Sequence, residues 1–576
     1  MRVAKNGIAP AEPDATLDYD GEALPARAGE SVAAALVAAG RYECRTTRAG
    51  GARGVFCGMG VCGECSVTLD GRGSKLSCLE KVTDLHALQR NPAARELEER
   101  ELDAAPESVE LADVLVIGAG PAGLSAACAA AATGARVLVV DERTSPGGQY
   151  FKQPAASLPV DEGALDAQYR AGRRLIGEFA ASGARFLGGV RVWGHTSPFE
   201  LFGASAGERH VLRARALVLA TGAFEAAAPF PGWTLPGVMT TGAAQTLLRS
   251  YLVAPGERVL VAGNGPLNLQ VAAELVEAGV DVVAVAEAGR LWRPQNLAAF
   301  VAMGAAAPRY ARQGLGYLAT LVRARVPLLA GATVVEARGA RTVEEAVVAP
   351  IDSEGRPQRA RARRFGVDAV CLGLGFVPSS ELARGLGCRA GVERASGALV
   401  IERTASGRTS VPGVWVAGDG GAVRGAQVAQ AMGYLAGLDA AAFAGHRGDG
   451  ARDADRRRRE QALRRHDRFQ EALWRLYRAP RLLDKLADEE TVVCRCEEVT
   501  LGELRRAAAP FLDAAGSLKR VTRAGMGRCQ GRYCSPVLVE LAARASGVAA
   551  GPFSGFAPQA PCLPVAVGAM AGDDPC

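Results

Sequence analysis

The sequence predicts an α/β protein in which one dinucleotide-binding fold is nested inside another, with a small cysteine-bearing domain at each end of the chain. Three observations lead there. The segment ADVLVIGAGPAGLSAACAAAATGARVLVVDERTSPGGQ, residues 112–149, places a glycine-rich turn between an apolar strand and a helix. A second copy of the same unit, RVLVAGNGPLNLQVAAELVEAGVDVVAVAEAG, follows at residues 258–289, before the apolar strand of 411–417 that the first unit needs to complete its sheet. Eight of the fourteen cysteines fall in two compact groups near opposite ends.

Composition sets the limits. A chain of 576 residues, 49% of them hydrophobic, is too long for one core and divides into about three or four domains. Lys plus Arg exceed Asp plus Glu by 67 to 61, and a net charge of +6 is too dilute over this length to argue for nucleic acid as a partner. The amino terminus, MRVAKNGIAPAEPD, lacks the apolar core of a secretory signal, so the expectation is a cytoplasmic protein with reduced thiols. Residues 114–135 form an uncharged run long enough to span a bilayer, but its GAGPAG suits a tight strand-to-helix turn. No transmembrane segment is expected.

The first cysteine group is GVFCGMGVCGECSVTLDG with Cys57, Cys62 and Cys65, followed by Cys78. Four thiolates hold a 2Fe-2S cluster, and a short glycine-rich loop lets backbone N–H groups aim at its sulfurs. Upstream, TLDYDGEALPARAGESVAAALVAAG reads as a hairpin turning at Asp20-Gly21, then a helix from about Ser31 that stops at Gly40. This order resembles the β-grasp ferredoxin domain, with a fourth thiol spaced more as in succinate dehydrogenase iron-sulfur subunits and small cyanide-synthase subunits. Cys44 is spare. A zinc site is the alternative. The expected domain is residues 1–88, followed by a polar, charge-rich linker over 89–110.

Residues 111–240 and 366–446 read as the two parts of the first dinucleotide fold. The strand runs into Gly118, Gly120, Pro121, Ala122 and Gly123, and the next strand ends on Asp141 and Glu142, where an acid meets a ribose hydroxyl. The following Gly148 and Gln149 resemble flavoproteins of the thioredoxin-reductase and sarcosine-oxidase type, which implies FAD. ALVLATGAFE, with Ala220, Thr221 and Gly222, agrees, as does VPGVWVAGDGGAVRGAQVAQAMGYLAG, with Gly418, Asp419 and Gln427. By the same resemblance Asp419 holds the flavin ribityl chain. The helix from about Arg424 would aim its N-terminus at the flavin ring.

Residues 241–365 hold the second copy. Gly263, Gly265 and Gly279 match Gly118, Gly120 and Gly134, but Asn268 replaces the third glycine, and the slot of Asp141 falls on Ala286 with Glu287 one place late. Together these departures argue against NAD(P) bound catalytically and make this unit mainly scaffold, while leaving room for a non-catalytic nucleotide. The stretch from Trp292 to Leu328 reads as helices covering the unit, or as a docking surface. Cys128, Cys371 and Cys388 stand singly in or near apolar segments, so no redox-active cysteine pair lies beside the flavin. His86, His195, His210, His446 and His466 lack metal-ligand spacing and have no serine elbow to partner them, which argues against hydrolysis.

Residues 447–486 form a helical connector: 456–477 repeats apolar positions at helical spacing, with Leu463, Phe469, Leu473 and Leu476 near one face. Residues 487–576 carry the second group, Cys494 and Cys496 in VCRCEEVT and Cys529 and Cys534 in GRCQGRYCSP. This resembles the bacterioferritin-associated ferredoxin module, a small helical 2Fe-2S domain, with four residues where that module has two between the second pair. Zinc is again the alternative. Arg495, Arg528 and Arg532 sit among these thiols; positive charge there favours a cluster's reduced form, and the other reading is ordinary surface arginine.

The order of these parts resembles the fused iron-sulfur and flavin α subunits of hydrogen cyanide synthase, opine oxidase, hydroxyproline dehydrogenase and heterotetrameric sarcosine oxidase. ATGAFEAAAPFPGWTLPGVMTTGAAQ and the CRCEEVT/GMGRCQGRYC pair carry that likeness. The resemblance implies FAD, two 2Fe-2S clusters, room for an FMN at a subunit interface, and a partner: an FAD-dependent β subunit of the D-amino-acid-oxidase type that oxidises an amino acid, opine or secondary amine. Residues 487–576 offer no folate-binding extension like that of the sarcosine oxidase α subunit, so coupling to tetrahydrofolate is not expected. FAD flanked in the chain by two one-electron clusters converts hydride chemistry into single-electron transport toward a respiratory acceptor, which leaves peripheral contact with a membrane open. Two other readings stand beside this one: a self-sufficient NAD(P)H-dependent reductase, and a non-enzymatic redox sensor or iron-handling protein.

Overall fold

The computed structural model describes residues 1–570, apart from 71, 84–85, 92–104, 206, 394–395, 448–450 and 509–513. The first hairpin joins Ala15–Tyr19 to Glu22–Ala26 through Asp20 and Gly21, both at positive φ (54° and 87°), the geometry a two-residue hairpin turn demands. Helix Val32–Ala38 starts where Ser31 Oγ accepts the Ala34 N–H at 3.2 Å, and Gly40, also at positive φ, follows its end. The sheet beneath runs Glu22–Ala26, Ala15–Tyr19, His86–Arg90, Ser66–Leu69, Arg72–Leu76, with the first two of its inner strands parallel. Its central strand, His86–Arg90, carries the domain past the expected limit at 88. The next strand begins at Glu107, inside the expected linker, whose residues 92–104 lie outside the described residues.

The first dinucleotide fold is a mixed sheet whose parallel part runs Arg185–Gly188, Val137–Asp141, Glu107–Ile117, Arg209–Leu219, with Val414–Val416 beside the last and the antiparallel strands Glu200–Ala204 and Arg191–Ser197 extending it. Helices Pro121–Ala131 and Ala426–Phe443 cross closely upon it. Gly433 and Gly437 make this possible, because a Cβ at either would fall 2.1 Å from the carbonyl oxygen of Ala122 or Ala126. The uncharged run of 114–135 thus becomes buried strand and helix, as expected, and among the described residues no helix is long and apolar enough to cross a membrane.

The nested unit is larger than 241–365. Its parallel sheet runs Val238–Thr240, Ala369–Gly373, Arg258–Gly263, Asp281–Glu287, Leu328–Ala330, so strands on both sides of the expected limits belong to it. Those two strands carry no glycine landmark of the motif, only short apolar runs that composition alone assigns equally well to the outer fold. Helices Leu297–Ala306 and Pro308–Arg323 cover the unit, leaving Leu297, Val301, Leu315 and Val322 uncovered. An antiparallel sheet of Ala332–Arg338, Glu345–Pro350 and Arg363–Gly366 completes it.

The connector is one helix, Ala451–Leu476; Leu463 and Leu476 are buried, with Phe469 and Leu473 packed against the core. The last domain sets helices Leu501–Ala507, Ala515–Thr522 and Ser535–Ser546 around Val493, Leu504, Leu518 and Leu538. A capping box, Thr500 with Glu503, opens the first of them. The chain then returns to the first fold, where the Cys562 N–H donates to the Trp193 carbonyl at 2.7 Å.

Candidate functional site

A single cavity of about 850 Å³ is lined by both dinucleotide folds, the first cysteine loop and the connector helix. Gly118, Gly120, Pro121 and Ala122 line it at the start of helix Pro121–Ala131, whose first turn has Gly120 as N-cap and no side-chain cap, leaving its N–H groups for an anion. Gly148 and Gln149 line it from the facing turn; a Cβ at Gly148 would fall 2.6 Å from Gly120 Cα. Ala220, Thr221 and Gly222, and then Asp419 and Gln427, complete the wall. Gly123 and Gly418 stand behind it. A Cβ at Gly123 would lie 1.8 Å from the Gly118 carbonyl oxygen, and one at Gly418 2.9 Å from Ala122 Cβ, so both are packing glycines. The long cavity, the uncapped helix start and the glycine cradle fit a dinucleotide such as FAD.

The acids at the strand ends hold backbone. Asp141 accepts the Ala119 N–H at 2.6 Å and the Arg143 N–H at 2.8 Å, one at each oxygen, and burial raises its pKa. Glu142 beside it pairs with Arg191 at 3.5 Å and is the freer carboxylate for a ribose. Asp419 Oδ1 accepts the N–H groups of Arg424 and Gly425 at 2.8 and 3.0 Å, fixing the turn before helix Ala426–Phe443, again uncapped by a side chain.

Two buried ionisable groups in the cavity wall were missed by sequence reasoning. Lys152, 5% exposed, donates to Gln245 Oε1 at 3.1 Å, and burial first, then the Arg143 charge, pushes it down to about 7. Glu225 accepts the Gly242 N–H at 2.9 and 3.0 Å, and burial pushes it up to about 7. Glu225 was visible as a charge closing the apolar ALVLATGAFE; Lys152, in a loop without period, gave no signal.

The first thiol group stands against this cavity, which Cys57, Met59, Gly60 and Val61 also line. Its loop is seated on helix Thr241–Tyr251 of the nested unit: the Thr240 N–H donates to the Phe56 carbonyl at 2.8 Å, and a Cβ at Gly58 would meet Ala243. Among the described residues no three ligating side chains close on a single point. The thiols instead perturb one another's ionisation two by two, Cys57 with Cys62, Cys65 with Cys78, Cys494 with Cys534, Cys496 with Cys529. Two pairs at each site suit a two-iron centre. Amides point at the sulfurs: Cys62 N–H to Cys57 Sγ and Glu64 N–H to Cys62 Sγ, both 3.4 Å, and Gly525 N–H to Cys494 Sγ, 3.5 Å. Cys534, and after it the backbone amides of Gly525, Glu497 and Cys496, pull Cys494 down to about 7 despite burial.

In space the two thiol groups are neighbours. One small void is lined by Cys62 and Glu64 from the first domain and by Cys494, Arg495, Cys496, Cys529, Tyr533 and Cys534 from the last. Chain order places the flavin fold between the clusters; folding brings the two ends together. Arg495 and Arg532 are buried, not surface residues.

The nested unit's glycine turn opens into the same cavity through Asn264–Gln270. Asn268 takes the place of helix-to-strand close packing by bonding: its Nδ2 donates to the Gly373 carbonyl and its Oδ1 accepts from Thr241 Oγ1, both at 2.9 Å. The one-place offset of Glu287 is corrected by the fold. A bulge between Val259 and Leu260 skips Val283 and sets Glu287 level with Gly263, as Ile117 opposite Val140 sets Asp141 level with Gly118. Glu287 then accepts the Gly265 and Gly289 N–H groups at 3.1 and 2.8 Å; the second matches the Asp141 contact with Arg143, while the first falls at the counterpart of Gly120, one residue beyond that of Ala119.

Residues 112–433 match the family model described as pyridine nucleotide-disulphide oxidoreductase, residues 13–91 the 2Fe-2S iron-sulfur cluster binding domain, and residues 492–544 the BFD-like [2Fe-2S] binding domain. The cofactors are FAD and two 2Fe-2S clusters. An opine oxidase subunit from Agrobacterium tumefaciens is 33% identical over 77% of this chain and 88% of its own length. The HcnB subunit of hydrogen cyanide synthase from Pseudomonas aeruginosa is 35% identical over 75% and 93%. The crystal structure of L-proline dehydrogenase from P. horikoshii superposes with a TM-score of 0.72 over 97% of both chains at 20% identity, a likeness of fold. The chain belongs to the pyridine nucleotide-disulphide oxidoreductase family, in the branch that holds these opine oxidase and hydrogen cyanide synthase subunits.

Proposed function

We propose that this chain is the electron-transferring subunit of a cytoplasmic dehydrogenase or oxidase complex acting on an amino acid, opine or other secondary amine. A partner of the amine-oxidase type takes hydride from the substrate, and electrons leave toward a respiratory acceptor, with room for FMN at the subunit contact and for peripheral contact with a membrane. One observation carries the reading: a single cavity reaches from the dinucleotide turns to the Cys57–Val61 loop, and that loop's Cys62 opens on the second thiol group. FAD bound there supplies the exchange between two-electron and one-electron chemistry. The chain's own residues do the rest. Gly118, Gly120 and the uncapped helix start receive the pyrophosphate, Glu142 the ribose, and Asp419 holds the turn that aims helix Ala426–Phe443. Clusters accept electrons but not the accompanying protons, and Lys152 Nζ with the Glu225 carboxyl, both near neutrality, can hold a proton in the cavity wall. The uncovered apolar Leu297, Val301, Leu315 and Val322 favour a partner subunit.

The test is co-purification from the native host, followed by a screen of amines and opines with an artificial electron acceptor. A bound oxidase-type chain and amine-dependent turnover are expected; no turnover with any amine, with the bound chains present, overturns the reading. The restored register of Glu287 favours a second reading, direct reduction by NAD(P)H, which predicts rapid bleaching of the flavin by NADH in the isolated chain.

A further inference from the structure

Arg495 lies between the two cysteine groups, although it is carried by the second. Its guanidinium sits 4.1 Å over the Phe56 ring and 4.6 Å over the Trp233 ring, donates to the Trp233 carbonyl at 2.7 Å, and stands 3.7 Å from Glu64. Phe56 precedes Cys57, and Glu64 separates Cys62 from Cys65. The Arg495 side chain is 3% exposed and that of Glu64 1%, so this charge acts where water does not screen it. Glu64 faces Arg45 at 3.1 Å and Arg53 at 3.4 Å as well, and among the described residues the other acid paired in this group, Glu498, meets Arg53 from the rim. Positive charge is in excess.

Buried donors are also left over. The Nε atoms of Arg45 and Arg495 and the hydroxyl of Tyr533 are buried without hydrogen-bond partners, whereas Arg53 Nε and Glu64 Oε2, also outside any hydrogen bond, face each other as an ion pair at 3.4 Å. Unpaired buried donors of this number are costly. An anionic group held by the thiols supplies both the missing acceptors and the missing negative charge. Tyr533 extends the pattern: it is carried between Cys529 and Cys534, yet its ring packs on Phe56 of the first domain (5.3 Å) and on Phe224 of the flavin fold (5.8 Å).

We propose that Arg495 and Tyr533, both borne on the loops of the second cluster, are positioning residues for the first cluster as well, so that one buried cation sets the reduction potentials of both. Each reduction adds one electron and no proton to a cluster, leaving it more negative, and a fixed cation nearby favours that form. Removing the charge makes both clusters harder to reduce together.

The proposal rests on the two-cluster reading of this chain, and a redox titration followed by electron paramagnetic resonance on the full-length protein separates the two. Absence of two 2Fe-2S signals in the unaltered chain sinks the reading itself. With both present, Arg495→Gln is expected to lower both potentials, each by about a tenfold change in the ratio of oxidised to reduced cluster, equivalent to about 59 mV for one electron. Arg495→Lys is expected to recover most of that. Should only the second cluster move, or neither, the proposal fails. If Arg495→Gln does not retain its iron, Tyr533→Phe, which preserves the ring packing, decides: the first cluster's potential falls by about a threefold ratio, and no change overturns the assignment.

Discussion

Replacing Gly433 by Ala should damage flavin binding from the far side of a helix. Two effects of opposite sign meet there. Alanine improves a helix interior by about 1 kcal/mol relative to glycine. The new methyl, however, would stand 2.1 Å from the Ala122 carbonyl oxygen and 2.8 Å from the Ala122 carbonyl carbon and Cα, all backbone of the helix opposite. Carbon contacts relax near 3.5–4.0 Å, so the two helices must part by about 1 Å or more. Overpacking of this kind costs about 1–3 kcal/mol, and a rigid backbone target puts it at the upper end. The balance is a net loss of about 1–2 kcal/mol. Because Ala122 lies in the first turn at the cavity wall, the displacement moves the N–H groups that receive the pyrophosphate, and FAD affinity should fall by about tenfold for each 1.4 kcal/mol. The assay is FAD titration of the apoprotein beside thermal unfolding. Gly177 supplies the control: it is exposed on helix Ala167–Ala181 with nothing within 4 Å of its would-be Cβ, so Gly177→Ala should stabilise by up to about 1 kcal/mol. Unchanged FAD affinity in Gly433→Ala, or an equal loss of stability in Gly177→Ala, would refute the reasoning.

Cys529→Ser should remove the second cluster alone: about half the iron and labile sulfide is lost while flavin absorbance stays, and loss of all iron would contradict two separate thiol sets. Lys152, pushed down to about 7 from 10.5, is uncharged in the folded chain and protonated in the unfolded one between those pH values. Stability therefore rises with pH through that window, and Lys152→Met should flatten the rise in melting temperature between pH 7 and 10. Arg249 joins helix Thr241–Tyr251 to Asp166 and Glu274, each at 2.8 Å, with its own side chain buried. Arg249→Met leaves Glu274 buried and unpaired and should cost about 3–5 kcal/mol, read as a lowered melting temperature.

Features with local causes were legible in the sequence. Asp20-Gly21 needs positive φ, Ser31 caps a helix, and strand, glycine turn, helix and acid follow one another without long-range information. The bulge that restores Glu287 was not legible, since an alignment by counting cannot see that Val283 is left out of the ladder. The strands Val238–Thr240 and Ala369–Gly373 were assigned to the wrong fold for a related reason: pairing partner, not composition, decides their sheet. Lys152 and Glu225 became a site only through burial, which no spacing announces.

The same limit explains the run from Ala220 to Gln245, which carried the family likeness before any role could be given to it. Thr221 and Gly222 line the flavin cavity, Glu225 is held by Gly242 beside it, and Thr240 donates to Phe56 at the first cysteine loop. Between them, the Trp233 indole donates to the Val492 carbonyl at 2.6 Å and its own carbonyl accepts from Arg495, which ties down the second loop. Cluster domains at opposite ends of a chain have no local means of finding one another, and electron transfer needs them at a fixed separation from each other and from the flavin. A segment packed against all three supplies that constraint. Its prolines and glycines keep it out of helix or sheet register over residues 226–237 and free its side chains to point three ways. Trp233→Phe tests this: the indole bond and part of the clamp on Arg495 are lost while the fold remains, so reduction of the second cluster by reduced flavin should slow with the iron content unchanged, and an unaltered rate would remove the segment from the electron path.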